Sequence, residues 1–143
     1  MKLVTISREF GSGGRELGRL LAAELGFTYY DREIEAEIAA RTGLHEEYVA
    51  RAIEEGTLRN IPLHFGITLS SPAALRQRVN VLVEKERTLR RIAKSGDCVI
   101  VGRAADIILA DLDPFKIFVH AKLDSRVARC MEREAQGDER LLR

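Results

Sequence analysis

The sequence has no tryptophan, only three prolines and two cysteines, and no long apolar run. The cysteines, Cys98 and Cys130, form neither a CxxC pair nor a dense pattern, which argues against a disulfide framework and a zinc site. No stretch approaches the ~20 apolar residues of a membrane span. The apolar segment after Lys2 is too short for the core of a signal peptide. These absences predict a reduced cytoplasmic protein that is neither exported nor inserted into a membrane.

Charge of either sign is also not in excess. The chain carries 23 Lys and Arg and 22 Asp and Glu residues, for a net charge of +1. This balance gives no general attraction to a nucleic acid polymer or to an anionic membrane, so any anion binding must be local. A chain of 143 residues with 45% hydrophobic residues can bury one sizeable core, and we expect a single domain over residues 1–143.

The beginning of the chain has the pattern of a strand, a glycine loop and a helix. The apolar run Leu3–Ile6 predicts a strand, and a glycine-rich segment at 11–14 follows it. Apolar residues at helical spacing then predict a helix: Leu17, Leu20, Leu21 and Leu25. Gly26 is expected to end that helix, residues 27–30 to form a second strand, and Asp31 to cap the next helix.

The middle of the chain is expected to be helical and then irregular. Helices are predicted from Asp31 to about Arg41 and from His45 to Glu55, with a break at residues 42–43. Residues 56–70 lack a clean apolar period and are interpreted as a loop. We expect residues 31–70 to form a helical flap.

The second half of the chain predicts a long helix followed by buried strands. Ser71-Pro72 favours a helix start, and an apolar stripe continues to near Gly96: Leu75, Val79, Leu82, Leu89 and Ile92. Residues 98–101 and 116–119 have the nearly continuous apolar pattern of fully buried parallel strands, separated by a helix over 103–109. A last helix is predicted over 124–134. The predicted fold class is a three-layer α/β parallel sheet with flanking helices.

The glycine loop is the first candidate functional feature. Glycines between a strand and a helix let backbone N–H groups approach an anion, and the helix start adds partial positive charge, so phosphate is the expected ligand. A tight turn that needs positive φ is the alternative. Gly11 and Gly13 also match two positions of the dinucleotide-binding fingerprint, with Glu16 at the third glycine and Asp31 about twenty residues on. An NAD(P)-binding oxidoreductase therefore remains an alternative.

The loop does not fulfil the strict P-loop pattern GxxxxGK[ST]. With Gly13 as its second glycine, Arg8 stands at the first glycine, Gly14 at the lysine and Arg15 at the hydroxyl position. Arginine offers a planar fork suited to phosphate, so Arg8 or Arg15 is a candidate replacement for the lysine.

Arginines in two other segments are further candidates. Arg103 follows a predicted central strand, where open α/β sheets bind ligands, and a capping salt bridge is its alternative role. Arg126, Arg129 and Arg133 share one helical face by their spacing, and a solvated face is one interpretation of it.

Three segments together resemble the cytidylate kinase-like family: Thr5–Arg15, Tyr29–Asp31 and Val99–Asp106. Phe118–Ala121 and the arginines that follow are similar to the strand and arginine helix of nucleoside monophosphate kinases. The resemblance runs from about residue 3 to residue 133, with a glycine loop that departs from that of true cytidylate kinases.

The resemblance implies a P-loop fold that uses ATP and Mg²⁺ to phosphorylate a nucleoside monophosphate, CMP or dCMP. The residues implied for binding ATP phosphates are Arg8, Gly11, Ser12, Gly13, Gly14 and Arg15. Those implied for the acceptor are Asp31, Arg32, Arg103 and Asp106, and those for catalysis are Arg15, Arg126 and Arg129. No residue is assigned as a metal ligand. The resemblance also implies an incomplete lid and a missing final helix and strand, so a nucleotide-sensing domain without turnover is the alternative.

Overall fold

A computed structural model of the protein describes residues 1–55 and 72–135. The strands are β1 Leu3–Arg8, β2 Thr28–Tyr30, β3 Cys98–Val101 and β4 Phe115–Val119. The helices are α1 Gly14–Leu25, α2 Glu33–Thr42, α3 Glu46–Glu55, α4 Pro72–Ser95, α5 Ala105–Ile108 and α6 Leu123–Ala135, with a 3₁₀ turn at Ala110–Leu112. The predicted loop at 56–70 lies outside the described residues. Within the described part of the chain, no helix is long and apolar enough to cross a membrane.

The four strands form one parallel sheet in the order β2-β3-β1-β4. Leu3 of β1 lies beside Cys98 of β3, and Val4 lies beside Phe115 of β4. All carboxyl ends therefore meet at one edge, which brings the glycine loop after β1 next to the turn after β3. The predicted α/β class with a parallel sheet is confirmed.

The described residues divide into two compact units. The first contains residues 1–31 and the described residues from Gly96 onward, and it includes the whole sheet, α1, α5 and α6. The second lies within Arg32–Ser95 and contains α2, α3 and α4, whose fully buried side chains include Ile38, Val49 and Leu89. The flap predicted at 31–70 begins at the residue directly before this unit, and the unit also contains α4, which lies outside the predicted flap.

Helix α1 buries a face that matches its predicted leucines only in part, since Leu21 is partly buried and packs against the core. Leu17, Leu20 and Leu25 are 40%, 64% and 47% exposed, whereas the buried residues of the helix are Gly14, Gly18 and Ala22. A Cβ on Gly18 would lie 2.7 Å from Val101 Cγ2 and 3.1 Å from the Tyr29 ring. The helix thus packs so closely on β2 and β3 that small residues must face the sheet.

This close approach predicts a large cost for a side chain at residue 18. Gly18→Val should lower the free energy of unfolding by about 1–3 kcal/mol, because the added atoms overlap Val101 and Tyr29. Ala23→Val on the exposed face of α1 should cost less than about 0.7 kcal/mol, since only helix propensity changes. Urea unfolding of both variants measures the difference. Equal effects would contradict the close packing.

The other apolar patterns were partly wrong about burial. The strand predicted at 116–119 was expected to be fully buried, but Phe118 is 63% exposed, and Phe115 at the start of β4 is 69% exposed. β4 lies at the end of the sheet order and pairs with β1 alone among the described strands. In α4 the predicted Leu75 and Val79 are exposed, and Val81 is buried in their place. The carboxyl half of the predicted α4 stripe is confirmed by buried Leu89 and Ile92.

Both cysteines are free, and Cys98 is buried in β3. Burial raises the pKa of the Cys98 thiol to about 11. The thiol therefore stays protonated at neutral pH, and its function is packing.

Candidate functional site

The glycine loop forms because the chain must turn sharply between β1 and α1. Gly11 and Gly13 have φ values of +76° and +90°, in the left-handed region that favours glycine. Gly13 is the N-cap of α1, and no side chain caps that helix end. The first N–H groups of a helix have no acceptor within the helix, so this end of α1 offers donors and partial positive charge to an anion.

Glu9 and Ser12 fix the shape of the loop. The backbone N–H and the hydroxyl of Ser12 both donate to the Glu9 carbonyl, at 3.2 and 2.8 Å. The Glu9 N–H donates to the Val119 carbonyl at 3.0 Å, and the Glu9 carboxylate accepts from the Ala121 N–H at 3.3 Å. The loop is thus tied to the carboxyl end of β4, and the predicted phosphate ligand Ser12 has both of these donors engaged within it.

Arg8 fills the space beside Gly14, the residue at the lysine position of the P-loop pattern. A Cβ on Gly14 would lie 2.7 Å from Arg8 Cβ and 3.1 Å from Arg8 Cδ. The Arg8 guanidinium extends to Gly102, which follows β3. Arg8 Nη1 lies so close to Gly102 that a Cβ on this glycine would overlap it. Arg8 therefore places its charge between the glycine loop and the turn after β3.

Three arginines surround Asp31 at this edge of the sheet. Arg15 Nε lies 2.9 Å from Asp31 Oδ2, and Arg103 Nη2 lies 3.5 Å from Oδ1. The Arg15, Arg103 and Asp31 side chains are 12%, 6% and 10% exposed. Burial and the nearby Arg15 lower the pKa of Arg8, an effect that Asp31 opposes and Arg103 reinforces. Three guanidinium groups thus lie close together at this edge of the sheet, an arrangement that favours an anionic ligand.

Tyr29 adds a hydroxyl to the same cluster. Its hydroxyl donates to the Arg15 carbonyl at 3.4 Å and lies 3.5 Å from Asp31 Oδ2. Burial, and then the Asp31 charge, raise the pKa of Tyr29. The tyrosine therefore stays protonated and remains a donor within the cluster.

The prediction that Asp31 caps α2 is wrong. The N-cap is Arg32, with a helical φ of −72°, and its side chain makes no capping hydrogen bond. The Asp31 carboxylate instead pairs with Arg15 and Arg103 in the first unit. Arg32, also predicted to bind the acceptor, is the first residue of the second unit.

The turn after β3 holds Arg103 in an unusual backbone conformation. Gly102, Arg103 and Ala104 have φ values of +73°, +63° and +56°. Left-handed conformations cost free energy at residues other than glycine and are often found at functional sites. The turn is held by the Gly102 N–H, which donates to the Ile6 carbonyl at 2.8 Å. Asp106 follows, partly buried, in the first turn of α5.

Helix α6 places its arginines against the glycine loop and the start of α1. Arg126 Nε donates to the Phe10 carbonyl at 2.6 Å, and its Nη1 lies 3.3 Å from Glu9 Oε2. A Cβ on Gly13 would lie 3.2 Å from Arg129 Nη1, so that guanidinium lies on the loop. The spacing of three and four residues correctly indicated one shared face.

Two carboxylates of the site were not predicted. Glu9 pairs with Arg126, and Glu16 pairs with both Arg129 and Arg133. The available signal was a pair of acidic residues flanking a glycine loop in a chain with a helix rich in arginine. The paired residues lie more than 110 positions apart, and a local periodic pattern in the sequence does not reveal such pairs.

The donor groups brought together here suit phosphate better than a protein-bound metal. Among residues 1–55 and 72–135, no group of three or more His, Cys, Asp or Glu side chains is arranged to hold a metal ion. The cluster offers guanidinium and amide N–H groups, whereas Mg²⁺ prefers oxygen ligands.

Comparison with known proteins agrees with the sequence motifs. A family model described as the cytidylate kinase-like family matches residues 3–141, which confirms the resemblance. A crystal structure of an uncharacterized protein from Eubacterium ventriosum ATCC 27560 superposes with a TM-score of 0.57 at 22% identity, and this similarity shows the fold alone. The match covers 94% of this chain and 63% of that chain, so the chain spans less than two thirds of that structure's length. The chain has no match among curated proteins.

Proposed function

The chain belongs to the cytidylate kinase-like family, and on that premise we propose that it transfers the γ-phosphoryl group of ATP to a nucleoside monophosphate, CMP or dCMP. The observation that carries this proposal is the cluster of Arg8, Arg15 and Arg103 around Asp31, beside the uncapped start of α1. Such a concentration of arginines at the carboxyl ends of parallel strands suits a ligand with several phosphates.

The donor phosphates bind at the glycine loop in this proposal. The backbone N–H groups at the start of α1 donate to phosphate oxygens, and Arg8 provides the positive charge that a P-loop lysine would supply. Arg15 and the α6 residues Arg126 and Arg129 neutralise the charge of the transferring group. Positioning and charge neutralisation account for most of the catalysis of phosphoryl transfer. The residues named here supply both contributions.

The acceptor binds on the other side of the same cluster. Arg103 holds the acceptor phosphate with its planar fork, and Asp31 keeps Arg103 and Arg15 in place. Asp106 contacts the sugar or the base. An oxygen of the acceptor phosphate forms a bond to the γ-phosphorus as the bond between that phosphorus and the ADP oxygen breaks.

Mg²⁺ bound to ATP would neutralise part of the phosphate charge at this site. The described residues lack a carboxylate cluster for it, and Arg15 stands at the position of the metal-binding hydroxyl in the P-loop pattern. The oxygen ligands that the ion prefers would then come from the phosphates and water.

A nucleotide sensor without turnover is the second candidate function. It is favoured by Gly14, which stands where the P-loop pattern has its lysine. Arg8 occupies the space that a side chain at residue 14 would need. Binding of ATP and CMP without transfer would support this candidate over the kinase.

Transfer of radioactive phosphate tests the choice between the two candidates. The protein is incubated with γ-labelled ATP, Mg²⁺ and each nucleoside monophosphate in turn. The kinase proposal predicts a labelled diphosphate with CMP or dCMP, and its loss in Arg8→Met. A protein that binds both nucleotides but yields no labelled diphosphate is a sensor.

A further inference from the structure

Glu16 lies in the first turn of α1, and the same carboxylate oxygen meets two arginines of α6. Glu16 Oε2 lies 3.4 Å from Arg129 Nη1 and 3.2 Å from Arg133 Nη2. The Glu16 side chain is 56% exposed, whereas the Arg133 side chain is 17% exposed. The carboxylate is therefore open to solvent at the point where it holds the two guanidinium groups.

The same place is where donor phosphates are expected. Arg129 lies on Gly13, with its guanidinium carbon 3.3 Å from where a Cβ on that glycine would be. Gly13 is the N-cap whose helix end has no side-chain cap. A phosphate at this helix end would meet Arg129 on one side and the Glu16 charge on the other.

We propose that the Glu16 carboxylate takes the place of a ligand anion in the ligand-free donor-phosphate site. Arg129 and Arg133 pair with Glu16 in the absence of ligand, and with the phosphates when a polyphosphate binds. This inference rests on the proposed function. Without ligand, Glu16 neutralises the two guanidinium groups and holds them at the glycine loop. With ligand, the phosphates take over those groups, and the carboxylate moves into solvent.

The relative strength of the two interactions makes the exchange favourable. Glu16 and Arg129 are both about half exposed, and ion pairs between such side chains stabilise weakly and are screened by salt. A phosphate accepts two parallel N–H bonds from one guanidinium and also accepts from the backbone N–H groups of the loop. The phosphates therefore replace Glu16 as the partner of the two arginines. The ligand still binds less tightly than it would without the competing carboxylate.

Binding of inorganic tripolyphosphate to the whole protein, measured by calorimetry, tests the exchange. Glu16→Gln keeps the size of the side chain and removes its charge, and it should lower the dissociation constant about two- to fivefold. Glu24→Gln is the matched control, because Glu24 lies exposed near the other end of α1 and has the same charge. That control should leave the dissociation constant unchanged.

A second comparison separates local competition from other effects of the substitution. In an Arg129→Gln/Arg133→Gln background, Glu16→Gln should no longer tighten binding, because the groups for which it competes are gone. Unchanged or weaker tripolyphosphate binding in Glu16→Gln, or equal tightening in Glu24→Gln, would overturn the inference while leaving the proposed function in place. Absence of any binding by the unmodified protein would overturn both.

Discussion

Gly14→Lys, which would complete the lysine position of the P-loop pattern, is expected to weaken ATP binding by about tenfold or more. In a conventional P-loop this lysine contacts the phosphates. Here the Cβ of any side chain at residue 14 would lie 2.7 Å from Arg8 Cβ. A new side chain must displace Arg8 from its place beside Gly102. Calorimetric titration with ATP and Mg²⁺ measures the loss.

Ala23→Lys is the control for this substitution. Ala23 lies on the exposed face of α1, so the variant gains the same charge without displacing Arg8, and its ATP affinity should stay close to that of the unmodified protein. Tighter ATP binding by Gly14→Lys than by the unmodified protein would show that Arg8 does not replace the lysine.

Asp31→Asn is expected to lower the free energy of unfolding by about 3 kcal/mol in phosphate-free buffer, because it removes the charge of a buried carboxylate that pairs with two buried guanidinium groups. Arg15 and Arg103 both pair with Asp31, and these side chains are at most 12% exposed. Added phosphate should restore part of the stability, since an anion in the cluster replaces the lost charge. Urea unfolding with and without phosphate measures both effects.

Glu37→Gln is the matched control. Glu37 also pairs with two arginines, Arg41 and Arg91, but their side chains are about half exposed. The variant should lose less than about 1 kcal/mol, and phosphate should not restore it. If Asp31→Asn is no less stable than Glu37→Gln, the arginine cluster is not the buried charge centre described above.

The order of strands and helices could be predicted from local patterns. Apolar runs located β1, β3 and β4, and left-handed glycines at 26 and 43 end α1 and α2 where the sequence indicated. The buried faces were harder to predict. The leucines of α1 have a helical period, yet Gly18 faces the sheet. The distance between helix and sheet depends on tertiary contacts, and the spacing of apolar residues along the sequence does not indicate that distance.

The candidate site could be located from the sequence but not assembled. The glycine loop and the strand ends indicated where an anion would bind. The pairing of Asp31 with Arg15 and Arg103 depends on segments that only the fold brings together. Capping was the local prediction for Asp31, and it was wrong because the buried arginines bind the carboxylate. Glu9 and Glu16 were missed for the same reason.

The central claim is that the glycine loop and the arginine cluster form one nucleotide-phosphate site, and thermal unfolding with ligands tests it most directly. The unmodified protein is heated with ATP and Mg²⁺, with CMP, with dCMP and with NADP. A ligand at about 100 times its dissociation constant should add roughly 2.7 kcal/mol of stability. We predict stabilisation by ATP and by CMP or dCMP. Stabilisation by NADP alone, or by none of these ligands, would contradict the claim.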